Sequence, residues 1–127
     1  MVNIELDNGA DGKNRIFSYT ADSFTVNNEH ITSSIIISVD KLIRNWPPQT
    51  FADLATQHIE PIIALEPEVV LLGTGSRMHY PDEPFISAIV LKNIGLEVMD
   101  TGAACRSYNL LLSEGRNVVA AMFLQGA

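Results

Sequence analysis

Between residues 68 and 123 the chain alternates apolar runs with glycine-marked stops, and this pattern leaves few folds open. Residues 69–72 form an apolar run that ends in Gly73-Thr74-Gly75-Ser76. Residues 96–99 form a second run, which enters Asp100-Thr101-Gly102, and residues 117–123 form a third. A helical pattern lies in each gap. Residues 84–94 put Ile86, Ile89, Val90 and Ile94 on one stripe, with proline in the first turn and Gly95 as the expected C-terminal cap. The helix from about residue 103 to Gly115 puts Ala104, Tyr108, Leu111 and Leu112 on its apolar face, with Thr101 the expected N-cap. Strand, helix, strand, helix, strand predicts a parallel sheet with crossover helices. In such sheets ligands bind beyond the carboxyl ends of the strands, where both 73–77 and 101–106 fall.

The first half reads differently. Residues 1–6 alternate apolar and polar, a strand signal, and residues 7–14 are turn material. Residues 15–19, 23–26 and 30–33 predict short strands, the last two around an Asn27-Asn28 turn. Residues 34–39 are β-branched and suit a sheet interior, and residues 42–46 suggest one more strand before Pro47-Pro48. Thr50 and Asp53 have capping-box spacing, and Phe51, Leu54, Ala55, His58, Ile59 and Ile62 share a helical face. Pro61 interrupts that face, so two helical pieces are expected, 51–59 and 61–65. No linker divides the chain. The expectation is one α/β domain over residues 1–127, with a mixed sheet: an N-terminal antiparallel meander, a C-terminal βαβαβ unit, and helices packed on the sheet.

Charge narrows the partners. The net charge is −7, with 10 acidic and 4 basic groups in residues 1–68 but 5 and 4 in residues 69–127. Nucleic acid and anionic membrane surfaces both call for Lys and Arg clusters, so neither is expected. Apolar runs fall well short of the roughly 20 residues that span a bilayer, so no membrane insertion is expected. The single cysteine, Cys105, excludes an internal disulfide framework and suits a reducing compartment. The first residues have neither an apolar signal core nor an Arg-rich transit pattern, which leads to the expectation of a cytoplasmic protein.

Three candidate chemistries remain. Gly73, Thr74, Gly75 and Ser76 follow an apolar strand as a phosphate loop does, but Met78 stands where a dinucleotide fingerprint needs its third glycine. Two prolines separate the loop from its helix, and a Walker lysine is missing. Two readings stay open: a tight turn with close backbone packing, or a small anion site with Arg77 beside it. Cys105 stands near a helix N-terminus beside Arg106, which favours a reactive thiol. Its spacing to Tyr108 and Leu112 favours a buried one, and the buried reading is the stronger. Arg106 either grips a carboxylate or phosphate or pairs with Asp100 or Glu114 at the surface. The three histidines lack metal-ligand spacing, so no metal and no cofactor is expected. Ser76, His79 and Asp82 are crowded into one loop without a nucleophile elbow and make no triad. The candidate ligand or anion site therefore comprises Gly73, Thr74, Gly75, Ser76, Arg77, Thr101, Cys105, Arg106 and Asn109, and no catalytic residue is assigned.

At 71–77 (LLGTGSR) and 95–123 (GLEVMDTGAACRSYNLLLSEGRNVVAAMF) the chain resembles the respiratory complex I assembly factor 3 family, which has small bacterial and archaeal members. The likeness extends over residues 17–123 and is loose before residue 66. Matching the family's motif are Gly73, Thr74, Gly75, Asp100, Thr101, Cys105, Arg106, Tyr108, Asn109, Glu114, Gly115 and Arg116. The resemblance implies an α/β domain with a mixed sheet. It also implies a non-catalytic assembly or scaffolding role with a protein partner. A small-molecule or anion-binding protein using the crevice is the alternative, and a homo-oligomeric structural protein is a third.

Overall fold

A computed structural model describes residues 11–127. The strand expected over residues 1–6 lies outside the described residues. Two sheets organise the rest. β1 (Ile16–Thr20), β2 (Ser23–Val26) and β3 (Glu29–Ile31) form a three-stranded antiparallel sheet. β4 (Ile35–Ile37), β5 (Leu42–Ile43), β6 (Val69–Gly73), β7 (Gly95–Met99) and β8 (Val118–Met122) form a mixed sheet in the order β5-β4-β8-β6-β7. β6 pairs parallel with both β7 and β8, while β4 runs antiparallel to β8 and to β5. The expected meander is thus divided: its first three strands make their own sheet, and its last two extend the large one.

The helices follow the alternation. α1 (Glu60–Ile63) precedes β6, α2 (Glu83–Val90) joins β6 to β7, and α3 (Thr101–Ser113) joins β7 to β8. Right-handed crossovers in opposite directions along the sheet put α2 and α3 on opposite faces. The strand side chains sort by the two-residue period of a strand. Val69, Leu71, Val118, Ala120 and Met122 face Ala104, Cys105, Tyr108 and Leu112 of α3, together with Phe24, Val26 and Ile31 of the small sheet. Val70, Leu72, Val119, Ala121 and Phe123 face Trp46, Ile59, Ile62, Phe85 and Ile89. β6 and β8 are buried along their whole length, which is why both read as unbroken apolar runs.

Local chemistry moves several boundaries. The expected strand over 42–46 is only Leu42–Ile43; Trp46 is buried off the sheet, its indole N–H donating to His58 O. Thr50 and Asp53 bond side chain to side chain at 3.2 Å and cap no backbone group, so the expected capping box is absent. The break in this region comes at Leu54 and Ala55, both extended, between short 3₁₀ turns at Phe51–Asp53 and Thr56–Ile59. Pro61 lies in the first turn of α1, where its missing N–H costs nothing, so it starts a helix instead of dividing one. α2 ends at Val90, and Asn93 with φ 61° makes the left-handed turn expected of Gly95, which opens β7. The N-cap of α3 is Asp100, whose Oδ1 accepts from Ala103 N at 2.9 Å; Thr101 begins the helix proper. Gly115 does take the left-handed conformation, with φ 76°, and closes α3: its N–H donates to Leu112 O and that of Arg116 to Leu111 O.

Candidate functional site

The turns after β6 and β7 meet at one end of the sheet. Thr101 N donates to Gly75 O at 2.8 Å, and Gly75 N donates back to Thr101 Oγ1 at 2.9 Å. The same hydroxyl donates to Phe123 O at 2.7 Å. One fully buried threonine therefore ties together the ends of β6, β7 and β8. Thr74 does a related job inside its own turn: its hydroxyl donates to Arg77 O at 2.5 Å and accepts from His79 N. Gly75 has φ 100°, which favours glycine, and a Cβ there would stand 3.0 Å from Ala127 O. Gly73 is held for space, since a Cβ would lie 2.9 Å from Met122 Cγ.

Three backbone donors at this junction already have partners. The Gly75 N–H is used by Thr101, Gly102 N donates to Gln125 Oε1 at 2.8 Å, and Ala103 N donates to Asp100 Oδ1. Ser76 and Arg77 face solvent. The structure accordingly brings Gly73, Thr74, Gly75 and Thr101 into one hydrogen-bonded knot.

Cys105, Arg106 and Asn109 go elsewhere. With residues 16–19 of β1 they line a cleft of about 330 Å³. Asn109 completes the edge of β1 as a strand would: Ile16 N donates to its Oδ1 at 3.0 Å, and its Nδ2 donates to Ile16 O at 2.7 Å. Tyr108, buried one residue before, donates its hydroxyl to Asn14 O at 2.8 Å. Arg106 is exposed and donates to Tyr19 Oη at 3.2 Å. Cys105 is 3% exposed, with its thiol directed at Met122 Sδ at 3.8 Å. Burial pushes that thiol up to about 12; Arg106 opposes the shift and Asp100 adds to it, both more weakly. At neutral pH Cys105 is a protonated, packed thiol.

Sequence reasoning missed three features. Asp100 and Gln125 occupy the N–H groups of the α3 start, and Gln125 lies beyond the last apolar run, with no spacing to signal it. A second concavity of about 280 Å³ opens beside the Phe51–Asp53 turn, where Phe51, Tyr80, Asp82 and Phe85 come together from two separate stretches. Among the described residues no cluster of His, Cys, Asp and Glu has metal-binding geometry, and no helix is long and apolar enough to cross a membrane.

Comparison with known proteins agrees with this architecture. The chain is 28% identical over 109 residues to NADH dehydrogenase (ubiquinone) 1 alpha subcomplex assembly factor 3 of Xenopus tropicalis, a match covering 84% of this chain and 59% of that protein. It is 28% identical over 101 residues to the 13 kDa major membrane protein of Francisella tularensis, covering 79% of this chain and 82% of the other. The crystal structure of a Bordetella parapertussis protein superposes with a TM-score of 0.84 at 33% identity, covering 91% of this chain and 98% of that one. Residues 16–123 match the family described as protein of unknown function (DUF498/DUF598), and the chain belongs to that family.

Proposed function

We propose that this chain is a non-catalytic assembly or scaffolding protein that works by binding a protein partner. The observation that carries the reading is the alignment with complex I assembly factors along 84% of the chain. Because the alignment spans only 59% of the frog relative, that protein's own partner and role are carried over as part of the proposal. The motif side chains support it from below. Thr101, Asn109 and Tyr108 hold backbone segments together, and the Cys105 thiol is held protonated. The reading carries a cytoplasmic setting with it, and the name of the Francisella relative makes a membrane surface the competing one. Affinity capture from native cells, run separately on soluble and membrane fractions, tests both. A reproducible protein partner is expected; recovery of the chain with only itself would replace the reading with a homo-oligomeric structural role.

A second reading, a small anion held between residues 73–77 and 101–106, draws support from the meeting of the two turns and from the exposed Arg77 and Arg106. It ranks second because the Gly75, Gly102 and Ala103 N–H groups are already engaged. Under it, Arg106→Ala weakens binding of phosphate or acetate, followed by calorimetry, while melting hardly moves, since an exposed contact contributes about 0–1 kcal/mol. Equal anion binding by wild type and variant, or a collapsed melting temperature, ends that reading.

A further inference from the structure

We propose that the pocket between the Phe51–Asp53 turn and the start of α2 receives a lysine or arginine side chain presented by a protein partner. The inference rests on the protein-binding reading above and names the chemistry of one contact. Its walls are Phe51, Leu54, Tyr80, Pro81 and Phe85, around about 280 Å³. Asp82 also lines it and is the only acidic or basic side chain that does. One oxygen of Asp82, Oδ1, accepts from Phe85 N at 3.3 Å and so caps α2, while its other oxygen has no partner among the described residues. Ion pairs among the described residues use Asp11, Glu29 and Glu68 and leave this carboxylate without a cation.

A largely apolar wall with the exposed Tyr80 ring and one carboxylate that pairs with no cation fits a basic side chain: the ring attracts a cation over its face, and the methylene stem fills the apolar remainder. The surroundings agree. Tyr80 is 68% exposed and Met78 50%, large side chains left in water at the mouth of the loop. Solvent-facing aromatic and methionine side chains are enriched in interface centres, and arginine is among the residues that anchor there. The chain carries a net charge of −7, so a basic partner segment is also drawn to it at long range. Two basic groups lie close in sequence. Arg77 is exposed and does not line the pocket, and the His79 ring stacks against Phe51 at 5.3 Å without lining it.

The test is an NMR titration of the intact chain with N-acetyl-arginine amide and, separately, with N-acetyl-citrulline amide, which has the same shape without the charge. Saturable shifts at Phe51, Ala52, Tyr80 and Phe85 with the arginine probe are expected, with the citrulline probe severalfold weaker. Tyr80→Ala should weaken the arginine probe about two- to fivefold, the range for one exposed cation–π contact. Asp82→Asn keeps a capping oxygen for α2 and should bring arginine down to the citrulline level. Equal binding of the two probes would make this an apolar slot, and shifts that are absent or map elsewhere would remove the site. Partner capture left unchanged by both substitutions would take the pocket out of the partner surface while the assembly reading stood. Arginine binding intact with no protein ever captured would sink the assembly reading and leave the pocket's chemistry in place.

Discussion

At the scale of single residues, the motif side chains act mainly on backbone. Thr101 is the clearest case. Valine matches its shape but can neither accept from Gly75 N nor donate to Phe123 O. A buried group left unpaired costs about 1–3 kcal/mol, so Thr101→Val should destabilise by about 2 kcal/mol or more in urea. A midpoint within error of wild type would show that the knot is not needed. Cys105 should label slowly with a thiol reagent at pH 8 in the native state and fast in denaturant, because its thiol is buried and raised to about 12. Labelling of the native protein at the unfolded rate would contradict this. The buried cysteine was legible in the sequence, because its spacing to Tyr108 and Leu112 is a helical period. The destination of Asn109 was not. Asn109 and Ile16 are 93 residues apart, and nothing in either neighbourhood marks the pair. The meeting of the two turns was therefore legible, but not that Cys105, Arg106 and Asn109 line a separate cleft, nor which donors were already used.

Among the elements, α3 carries the sharpest test. Gly115 ends it with φ 76°, and a Cβ added there meets nothing within 4 Å. Gly115→Ala therefore isolates the backbone cost of the left-handed conformation, about 1 kcal/mol, or about 4 °C in melting temperature for a chain of this size. Wild-type melting would remove Gly115 as the cap. The parallel unit was readable because β6 and β8 are buried on both faces and each helix has one apolar stripe, so period and composition agree. The first half was harder because its strands are two to five residues long, too short for period 2 to separate strand from turn. Sequence order could not tell that β4 parts from β3 to pair with β8, since that choice is made by Ile35, Ile36 and Ile37 finding Met122, Ala121 and Ala120. The C-terminal cap of α2 and the N-cap of α3 were misjudged, by two residues and by one, for a simple reason. Asp100 and Asn93 can each do the job expected of a neighbour, and several capping types stood side by side.

For the whole molecule, long-range order is pinned at the surface by a few carboxylates, and this makes stability depend on pH. Glu68 accepts from Asn117 N at 2.9 Å and pairs with Arg116 at 3.0 Å, fastening the chain before β6 to the chain before β8. Those bonds hold its carboxyl below the usual 4.5, the backbone N–H contributing most and Arg116 next. Arg44 does the same for Glu29, joining β3 to the segment after β5. Arg15 is the main cause that draws Asp11 from 3.8 to about 2. A carboxylate with a lowered folded pKa binds protons more readily when unfolded, so its contribution is complete above the unfolded value and disappears as pH falls. The melting temperature should thus hold steady above about pH 5 and fall between pH 4.5 and pH 2. These groups are exposed, so 1 M salt should shrink the fall, the screening length there being about 3 Å. Glu68→Gln keeps an acceptor for Asn117 N but removes the charge. It should melt lower than wild type at pH 7 and converge with it toward pH 2. A gap between the two that stays constant from pH 7 to pH 2 would mean that Glu68 works through its shape and not its charge.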